Sequence, residues 1–461
     1  MKAKQETSSI EQKILDNLKA EVVQSPLIEK QDDGLYQVTF WTRLSDIDTL
    51  KDGCKLEFSV YCPDLDQKML DDLGNPKIMN KVQGNTGLYY LTINNVPIDT
   101  FATYYFNKKI GDNPIPERVD DQTNTNSKPI LKFNINESKV IQQETACIQL
   151  NPKAELPNWA TIHQLTQMKG EVTHAPFKDD NEESPDYTPF PARDLWVYKP
   201  EGFDKLTPND RKIIFMLDGK DFCESLTPYI DGKGEPFANT AIVFIAPGEY
   251  TTPGPPGRVR EYYYRLPDFS KLLAEKLIPK YRNELSISSK DNLTLAAHSL
   301  AAFPMMDVAK NYPDLVGGLV LVSPALNQVG ELLPLDPNPE FKKIPLYMQI
   351  GEKENDKPPV ANSDPTNDNY RHLKGESRLD SNKQFHATLV TQGYNVTQAL
   401  VIHPFGHDSK HMLEGLTKGM QFINESRIIE RCRQMKGQLQ GSSPDLEQSV
   451  TMGSKVSSTN G

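Results

Sequence analysis

The sequence predicts a small β domain followed by a larger α/β domain with a largely parallel sheet. Between about residues 34 and 146, short runs rich in β-branched and aromatic residues alternate with Asn, Asp, Gly and Pro clusters, which is typical of a small sandwich. After residue 157, nearly continuous apolar runs alternate with helical patterns, which indicates parallel strands covered on both faces. A chain of 461 residues is also too long for one ordinary core.

Charge and hydropathy exclude two classes of protein. The net charge of −11 argues against a nucleic-acid-binding protein, which usually carries a basic excess. No window approaches the roughly 18 unbroken apolar residues of a membrane span. The five cysteines are scattered without metal-ligand spacing, which is typical of free thiols in a reducing compartment, so we expect a cytoplasmic protein; they are Cys54, Cys62, Cys147, Cys223 and Cys432.

Composition divides the chain into four segments. Residues 1–30 have periodic apolar residues but no continuous apolar core of a secretion signal, so they are interpreted as an amphipathic helix. Residues 31–150 form the β-sandwich domain and residues 155–432 the α/β domain. Residues 433–461 are rich in Ser, Gln and Gly, which predicts a flexible tail; a non-Sec secretion signal in this tail is the alternative. The polar insertion 355–385 is a candidate flap.

Seven apolar runs predict the strands of the parallel sheet, at 194–200, 212–219, 240–248, 293–299, 317–326, 344–352 and 398–407. Helical patterns at 269–284 and 301–315 lie between some of them. In open parallel sheets, ligands bind at the carboxyl ends of the strands. The polar residues that follow these runs are therefore the candidates for chemistry.

Ser299 follows the run LTLAAH and precedes a helical pattern. A serine on such a strand-to-helix turn resembles the nucleophile elbow G-x-S-x-G, but here Ala297 and Ala301 hold both glycine positions. Small residues are needed there because the turn brings backbones close together. The alternative is a serine that only caps the helix.

A serine nucleophile needs a base and an acid that orients the base. In α/β-hydrolase sheets the order along the chain is Ser, acid, His. His407 follows the last apolar run, whereas His403 lies inside that run and His411 in the next helix, where we expect it to be exposed to solvent. Glu354, the third residue past Gly351 in the loop GEKEND after the strand IPLYMQI, is the favoured acid; Glu352 and Asp356 stay open as rivals.

The oxyanion of such a reaction is stabilised by two backbone amides. The amide of Leu300, directly after the nucleophile, is the first candidate. Lys220 is the second, since Gly219 in MLDGKDF allows a sharp turn after an early strand. The alternative is that Asp218-Gly219 forms only a turn.

With these residues in view, the chain resembles the bacterial enterochelin (enterobactin) esterases, α/β hydrolases of the esterase-D-like group, over about residues 30 to 425. The matching stretches are VTFWTR and GLYYLTINNVPIDTFATYYF in the first half, and DLWVYKP, FMLDGKDF, REYYYRLPDFSKLLAEKLIPKY, AAHSLAAF, PDLVGGLVLVSPAL and FGHDSKHM in the second. The chain departs from the family at the two alanines beside the serine. It also has Ser409-Lys410-His411-Met412 where the family often has a tryptophan.

The resemblance implies an N-terminal early-set Ig-like domain and a set of site roles. Ser299 would be the nucleophile, His407 the base, and an acid on the 351–356 loop would complete the triad. Arg260, which opens REYYYRL, would lie near the substrate, where it could pair with a polyanionic catecholate or its iron complex. A salt bridge at the start of a helix is the alternative role for Arg260.

The sequence therefore predicts a serine esterase that hydrolyses carboxylic esters, with a catecholate siderophore such as (ferric) enterobactin as the implied substrate. We expect no cofactor, no catalytic metal and a small-molecule partner, and the oligomeric state stays open. The alternative is a non-catalytic binding protein or secreted effector on a hydrolase scaffold. A peptidase or acyltransferase is a further option.

Overall fold

The computed structural model describes most of the second half of the chain and parts of the first. The described residues are 9–19, 25–43, 56–61, 79–82, 88–98, 100–110, 117–119, 128–145, 147–150, 168–179, 189–250, 256–326, 339–355 and 377–441. Cys54, Cys62 and Asp356 lie outside them. Within these ranges Cys147, Cys223 and Cys432 are free thiols. None of the helices in these ranges combines the length and apolar composition that crossing a membrane requires.

The second half of the chain is built on one eight-stranded sheet. Its strands are β12 (Glu171–His174), β13 (Leu195–Lys199), β14 (Lys212–Leu217), β15 (Thr240–Ile245), β16 (Leu293–His298), β17 (Gly318–Val322), β18 (Leu346–Gly351) and β19 (Val401–His403). They lie in the order β12-β13-β15-β14-β16-β17-β18-β19. β13 is antiparallel to both its neighbours, and the six strands from β14 to β19 are parallel.

The prediction of a largely parallel sheet is confirmed, because all seven predicted runs become strands β13 to β19. β12 was not predicted, since its sequence EVTH is short, polar and mostly exposed. It forms the edge of the sheet, where pairing with β13 leaves one side in solvent. Such an edge strand carries no apolar run for the sequence to reveal.

Both faces of the sheet are covered. Alternate residues of β14 point to opposite faces, so Phe215 and Leu217 belong to one apolar cluster while Ile214 and Met216 belong to another. In the described ranges, the α-helices longer than one turn are α1 (Ser9–Lys19), α2 (Gly219–Ile230), α3 (Leu266–Leu272), α4 (Ile278–Glu284), α5 (Ala302–Asn311), α6 (Pro339–Lys343), α7 (Arg378–Thr391) and α8 (Met412–Gly441). α3, α4 and α5 cover the first face, and α2 and α8 cover the second.

The described residues of the first half of the chain form α1 and short antiparallel strands. The strands are β1 (Leu27–Lys30), β2 (Tyr36–Arg43), β3 (Leu56–Tyr61), β4 (Asn80–Lys81), β5 (Leu88–Val96), β6 (Phe101–Thr103), β7 (Tyr105–Ile110), β8 (Glu117–Val119), β9 (Lys128–Asn134), β10 (Lys139–Thr145) and β11 (Cys147–Gln149). They form the sheets β1-β2-β5-β4, β3-β7-β8, β10-β9 and β11-β6. α1 buries Ile14 against Trp41, Val82 and Leu88.

The β9 segment packs directly on α2 of the larger domain. Leu131 and Phe133 of β9 belong to the same apolar cluster as Phe222 and Leu226 of α2. The buried amide of Leu131 donates a hydrogen bond to the Tyr229 hydroxyl at 2.8 Å. The two halves of the chain therefore share a core at this contact.

Two predicted segment boundaries are wrong. α8 continues to Gly441, so residues 433–441 are helical where a flexible tail was predicted. Apart from Gly437 and Gly441, the residues of this segment are good helix formers and extend the preceding helix. Residues 442–461 lie outside the described residues. The predicted flap 355–385 ends inside α7, where Leu379 and Asn382 are buried, and residues 356–376 lie outside the described residues.

Candidate active site

Ser299 lies at the turn between β16 and α5. Its backbone is left-handed, with φ 60°, a conformation that costs energy for any residue except glycine. One turn of 3₁₀ helix, Ser299–Ala301, then leads into α5. Ala297 and Ala301 are fully buried, so the two positions that the motif gives to glycine hold the smallest side chain that has a Cβ. The turn is thus compatible with alanine at both positions.

His407 follows the edge strand β19, and its imidazole lies between two other predicted site residues. Nε2 is 3.1 Å from Oγ of Ser299, and Nδ1 is 2.8 Å from Oε2 of Glu354. Because an ionised carboxylate can only accept, Nδ1 carries the proton and donates it to Glu354. Nε2 of the neutral ring then accepts from the Ser299 hydroxyl. The structure brings these three side chains into one hydrogen-bonded chain.

Glu354 is buried and held at both carboxylate oxygens. Oε1 accepts from the Ser323 hydroxyl at 2.5 Å and from the Gly351 amide at 2.8 Å. Oε2 lies 3.3 Å from Nη1 of Arg378 in addition to its contact with His407. Four donors from four parts of the chain thus fix the orientation of this carboxylate, and through it the orientation of the imidazole ring.

The charge of Glu354 follows from these contacts. Burial opposes ionisation, but it is outweighed by the charge that His407 carries when protonated, by the hydrogen bond from His407, by the charge of Arg378 and by the hydrogen bond from Ser323. Together they hold the pKa of Glu354 well below its ordinary value. The carboxyl group is therefore ionised at neutral pH.

The rival acid Glu352 does not reach the histidine. Its side chain is exposed, and its backbone amide donates to the carbonyl of His403. Asp356 lies outside the described residues. Of the acids that the structure describes on this loop, Glu354 is the one in contact with His407.

Lys220 and Leu300 lie where backbone amides are free of helical partners. Lys220 is the second residue of α2 and Leu300 the second residue of the 3₁₀ turn; amides in a first helical turn have no carbonyl partner inside the helix. Lys220 and Ser299 line the same cavity. The N-terminus of α2 also carries the positive end of the helix dipole.

The turn before Lys220 differs from the one expected. Asp218, not Gly219, has the left-handed backbone, with φ 57° and ψ 44°. Gly219 is required for another reason: a Cβ there would lie 2.6 Å from the backbone of Ile245, closer than packed atoms approach. Glycine therefore allows α2 to begin directly against the end of β15.

Among the described arginines, Arg258 lines the cavity, and Arg260, which the resemblance places near the substrate, lies next to a residue of the cavity wall. Arg258 lines the cavity, and its Nε and Nη2 donate to the two carboxylate oxygens of Asp218 at 2.7 and 2.8 Å. The guanidinium of Arg260 lies over the ring of Tyr250 at 4.7 Å, and Tyr250 itself lines the cavity. Arg260 is thus one side chain removed from the cavity, because the helical turn sends residues two apart in different directions.

His298 was not predicted to take part. It lines the cavity, and its ring stacks on that of His407 with 4.7 Å between centroids. Burial, assisted by the neighbouring His407, lowers the pKa of His298 well below its ordinary value, so the ring is neutral. It gives His407 an aromatic wall. The sequence indicates a place for His298 at the site only through its position directly before Ser299.

The expectation that His411 is exposed is wrong. It is buried, and its ring stacks on Phe405 and lies against His403, with centroid distances of 4.9 and 4.6 Å. His403 is buried, as expected for a residue inside the strand. Burial, followed by the charge of His411, lowers the pKa of His403 to about 3. These rings pack beneath the loop that carries His407.

Ser299 and His407 open into a cavity of about 990 Å³. Its wall combines aromatic and charged side chains from both halves of the chain. β7 and β9 contribute Tyr105, Leu131 and Lys132, α2 contributes one wall, and the segment around Tyr250 contributes another. This volume is at the upper end of the range usual for small-molecule sites.

Comparison with solved structures finds the same fold. The enterochelin esterase from Shigella flexneri superposes with a TM-score of 0.54 at 16% identity, over 86% of this chain and 95% of that chain. The enterobactin esterase from the same organism, in the presence of 2,3-di-hydroxy-N-benzoyl-serine, gives 0.53 at 15% identity, over 89% and 99%. The ferric enterobactin esterase from Salmonella typhimurium gives 0.51 at 15% identity, over 87% and 97%.

No protein-family model and no curated protein sequence matches the chain. At these sequence identities, the similarity to the solved structures establishes the fold of the chain. They extend over the greater part of both chains, so the similarity includes the first half as well as the large sheet. The resemblance expected from the sequence is confirmed at the level of the fold: the chain has the fold of the enterobactin esterases.

Proposed function

We propose that this protein is a serine esterase that hydrolyses carboxylic esters through Ser299, His407 and Glu354. The observation that carries the proposal is the hydrogen-bonded chain from Oγ of Ser299 through both nitrogens of His407 to a buried, ionised carboxylate. A helix-capping serine has no need of such a chain. The left-handed backbone of Ser299 adds support, since strain of this kind is often found at reactive residues.

The reaction follows from the direction of these hydrogen bonds. Oγ of Ser299 attacks the ester carbonyl carbon while its proton passes to Nε2 of His407. The C–O bond of the tetrahedral intermediate then breaks, and the alcohol leaves with the proton from His407. Water, activated by the same nitrogen, attacks the acyl-enzyme and releases the acid. Glu354 stabilises the imidazolium that forms in each half of the cycle.

The amides of Lys220 and Leu300 are proposed to bind the oxyanion. Both are first-turn amides without helical partners, and such donors are favourable toward developing negative charge. The contact of Gly219 with Ile245 supports a fixed position for the Lys220 amide. The paired charges of Asp218 and Arg258 brace the preceding turn.

A catecholate siderophore such as enterobactin, iron-loaded or iron-free, is the substrate class we propose. Two observations support it. The chain shares the fold of enterobactin esterases, and the cavity is large, with several aromatic rings in its wall, among them Tyr105, Phe222, Tyr229 and Tyr250. Flat aromatic acyl groups pack well on such rings.

An Ig-like early-set domain is proposed for residues 31–150, on the basis of the antiparallel sheets there and the extent of the structural similarity. Its strands β7 and β9 would form one wall of the substrate site. A cytoplasmic location is likewise proposed, on the basis of the free cysteines.

Replacement of the nucleophile tests the proposal. Ser299→Ala should reduce hydrolysis of p-nitrophenyl esters and of enterobactin to background. The variant keeps the amides that bind the oxyanion but lacks the hydroxyl that attacks the ester. Ser288→Ala is the matched control, since Ser288 is exposed and precedes β16, at the opposite end of this strand from Ser299, and it should retain full activity. Undiminished hydrolysis by Ser299→Ala would contradict the proposal, whereas no hydrolysis by the unaltered protein would favour a non-catalytic binding protein.

A further inference from the structure

The charges around the cavity restrict which ester can enter it. Two cationic side chains in the wall are already neutralised by direct ion pairs. Arg258 is held by both oxygens of Asp218, and Lys410 lies 2.8 Å from a carboxylate oxygen of the buried Asp408. Neither charge is available to a substrate anion without loss of its partner, because breaking such a pair leaves a carboxylate without compensation.

After these two pairs, the acidic side chains of the described wall outnumber the basic ones. Asp221, Glu224 and Glu249 line the cavity, together with Lys132 and Lys220. The positive charges of both lysines act on Asp221. Beyond the two ion pairs, the described wall thus carries one more carboxylate than ammonium group, and this balance disfavours the entry of a further negative charge.

We infer that the cavity selects esters whose acyl and alcohol parts are uncharged and discriminates against polyanionic ones. The inference rests on the proposed esterase function and specifies its substrate class. For a catecholate siderophore it favours the iron-free form. Phenolic groups keep their protons near neutral pH, so the iron-free molecule is uncharged and its hydroxyls can donate to Glu224 and Glu249. In the iron complex, the deprotonated oxygens carry more negative charge than Fe³⁺ neutralises.

A matched pair of simple esters tests this charge preference directly. p-Nitrophenyl butyrate is neutral, and mono-p-nitrophenyl succinate has a similar length but carries one carboxylate. We expect kcat/KM for the neutral ester to exceed that for the anionic ester by about tenfold at low ionic strength. The ratio should shrink as salt is added, because salt screens charge repulsion but not steric exclusion. An equal or higher kcat/KM for the anionic ester would overturn the inference.

Substitution of the wall carboxylates identifies the cause. Glu224→Gln combined with Glu249→Gln should reduce the neutral-to-anionic ratio several-fold, whereas Glu201→Gln should leave it unchanged. Glu201 is exposed and follows β13, which is antiparallel to β15, so it lies at the amino ends of the parallel strands, away from Ser299. Thermal unfolding of each variant shows whether the fold is retained. A ratio unaffected by the double substitution in a folded variant would contradict the role of these carboxylates.

Iron-free and iron-loaded enterobactin provide the natural comparison. We expect faster hydrolysis of the iron-free form, measured as kcat/KM by separation of the products. Faster hydrolysis of the iron-loaded form would overturn the inference while leaving the esterase function intact. Absence of hydrolysis of every ester, together with no reaction of Ser299 with a fluorophosphonate, would instead overturn the proposed function and the inference with it.

Discussion

At the residue scale, the acid at position 354 is the group whose surroundings are most specific. Glu354 receives hydrogen bonds from Ser323, the Gly351 amide, Arg378 and His407. A surface carboxylate on a loop tip would have none of these. The arrangement has a clear consequence for activity, because this carboxylate holds Nδ1 of the imidazole.

We therefore expect Glu354→Gln to lower kcat by about 10⁴-fold, as loss of the correct histidine tautomer does in serine hydrolases. The side-chain amide has nearly the same shape, so the loss would reflect charge and tautomer and not size. Glu352→Gln is the control and should keep full activity, since its side chain is exposed. Equal losses in both variants would contradict the assignment of the acid.

His403 predicts a pH dependence of stability. Its pKa is lowered from 6.5 to about 3 in the folded protein, chiefly by burial, so between these values the unfolded chain binds a proton that the folded chain does not. Stability should then fall with acidification across this window, by about 1.4 kcal/mol per pH unit for this group. Urea unfolding at several pH values should show a smaller slope for His403→Gln. An unchanged slope would contradict the prediction.

At the element scale, two strand-to-helix turns meet at the site. The turn from β16 presents Ser299, and the turn from β14 to α2 presents the Lys220 amide. Each turn contains one non-glycine residue in the left-handed region, Ser299 and Asp218. The sequence predicted both turns, because the end of each apolar run marks the end of a buried parallel strand and the chain must turn there into the following helix.

Lys220→Pro removes the proposed oxyanion donor while proline remains acceptable in a first helical turn. We expect kcat to fall by about 10²–10³-fold, the usual loss for one oxyanion donor, with a smaller change in KM. Lys220→Ala keeps the amide and should retain most of kcat. Comparison of the two variants separates the effect of the backbone amide from that of the lysine side chain. Equal losses of kcat in both variants would contradict the oxyanion role of the amide.

At the scale of the whole molecule, the sequence was sufficient for the features that are local. Seven strands and the residues of the Ser299–Glu354–His407 chain lie in continuous apolar runs and the loops directly after them. The missed features depend on packing between distant segments. Each of these features depends on contact with a partner that is distant in the sequence and that no local pattern predicts. They are the polar strand β12, the burial of His411, the stacking of His298 and the position of Arg258 in the cavity wall.

The contact between the two halves of the chain gives a prediction at this scale. Tyr229→Phe would leave the buried amide of Leu131 without its acceptor, which should lower the free energy of unfolding by about 1–3 kcal/mol. Tyr312→Phe is the control, since its hydroxyl contacts an exposed carboxylate, and it should change stability by about 0.5 kcal/mol at most. Denaturant unfolding measures both, and equal effects would contradict the contact's contribution.

The central claim is that Ser299 is an activated nucleophile, and its covalent reaction with a fluorophosphonate tests this most directly. The protein is incubated with the probe, digested and analysed by mass spectrometry, beside the Ser299→Ala variant and heat-unfolded protein. The account predicts one phosphonylated peptide, with the adduct on Ser299, and no adduct in either control. A folded protein whose Ser299 stays unmodified, or whose adduct lies on another serine, would contradict it.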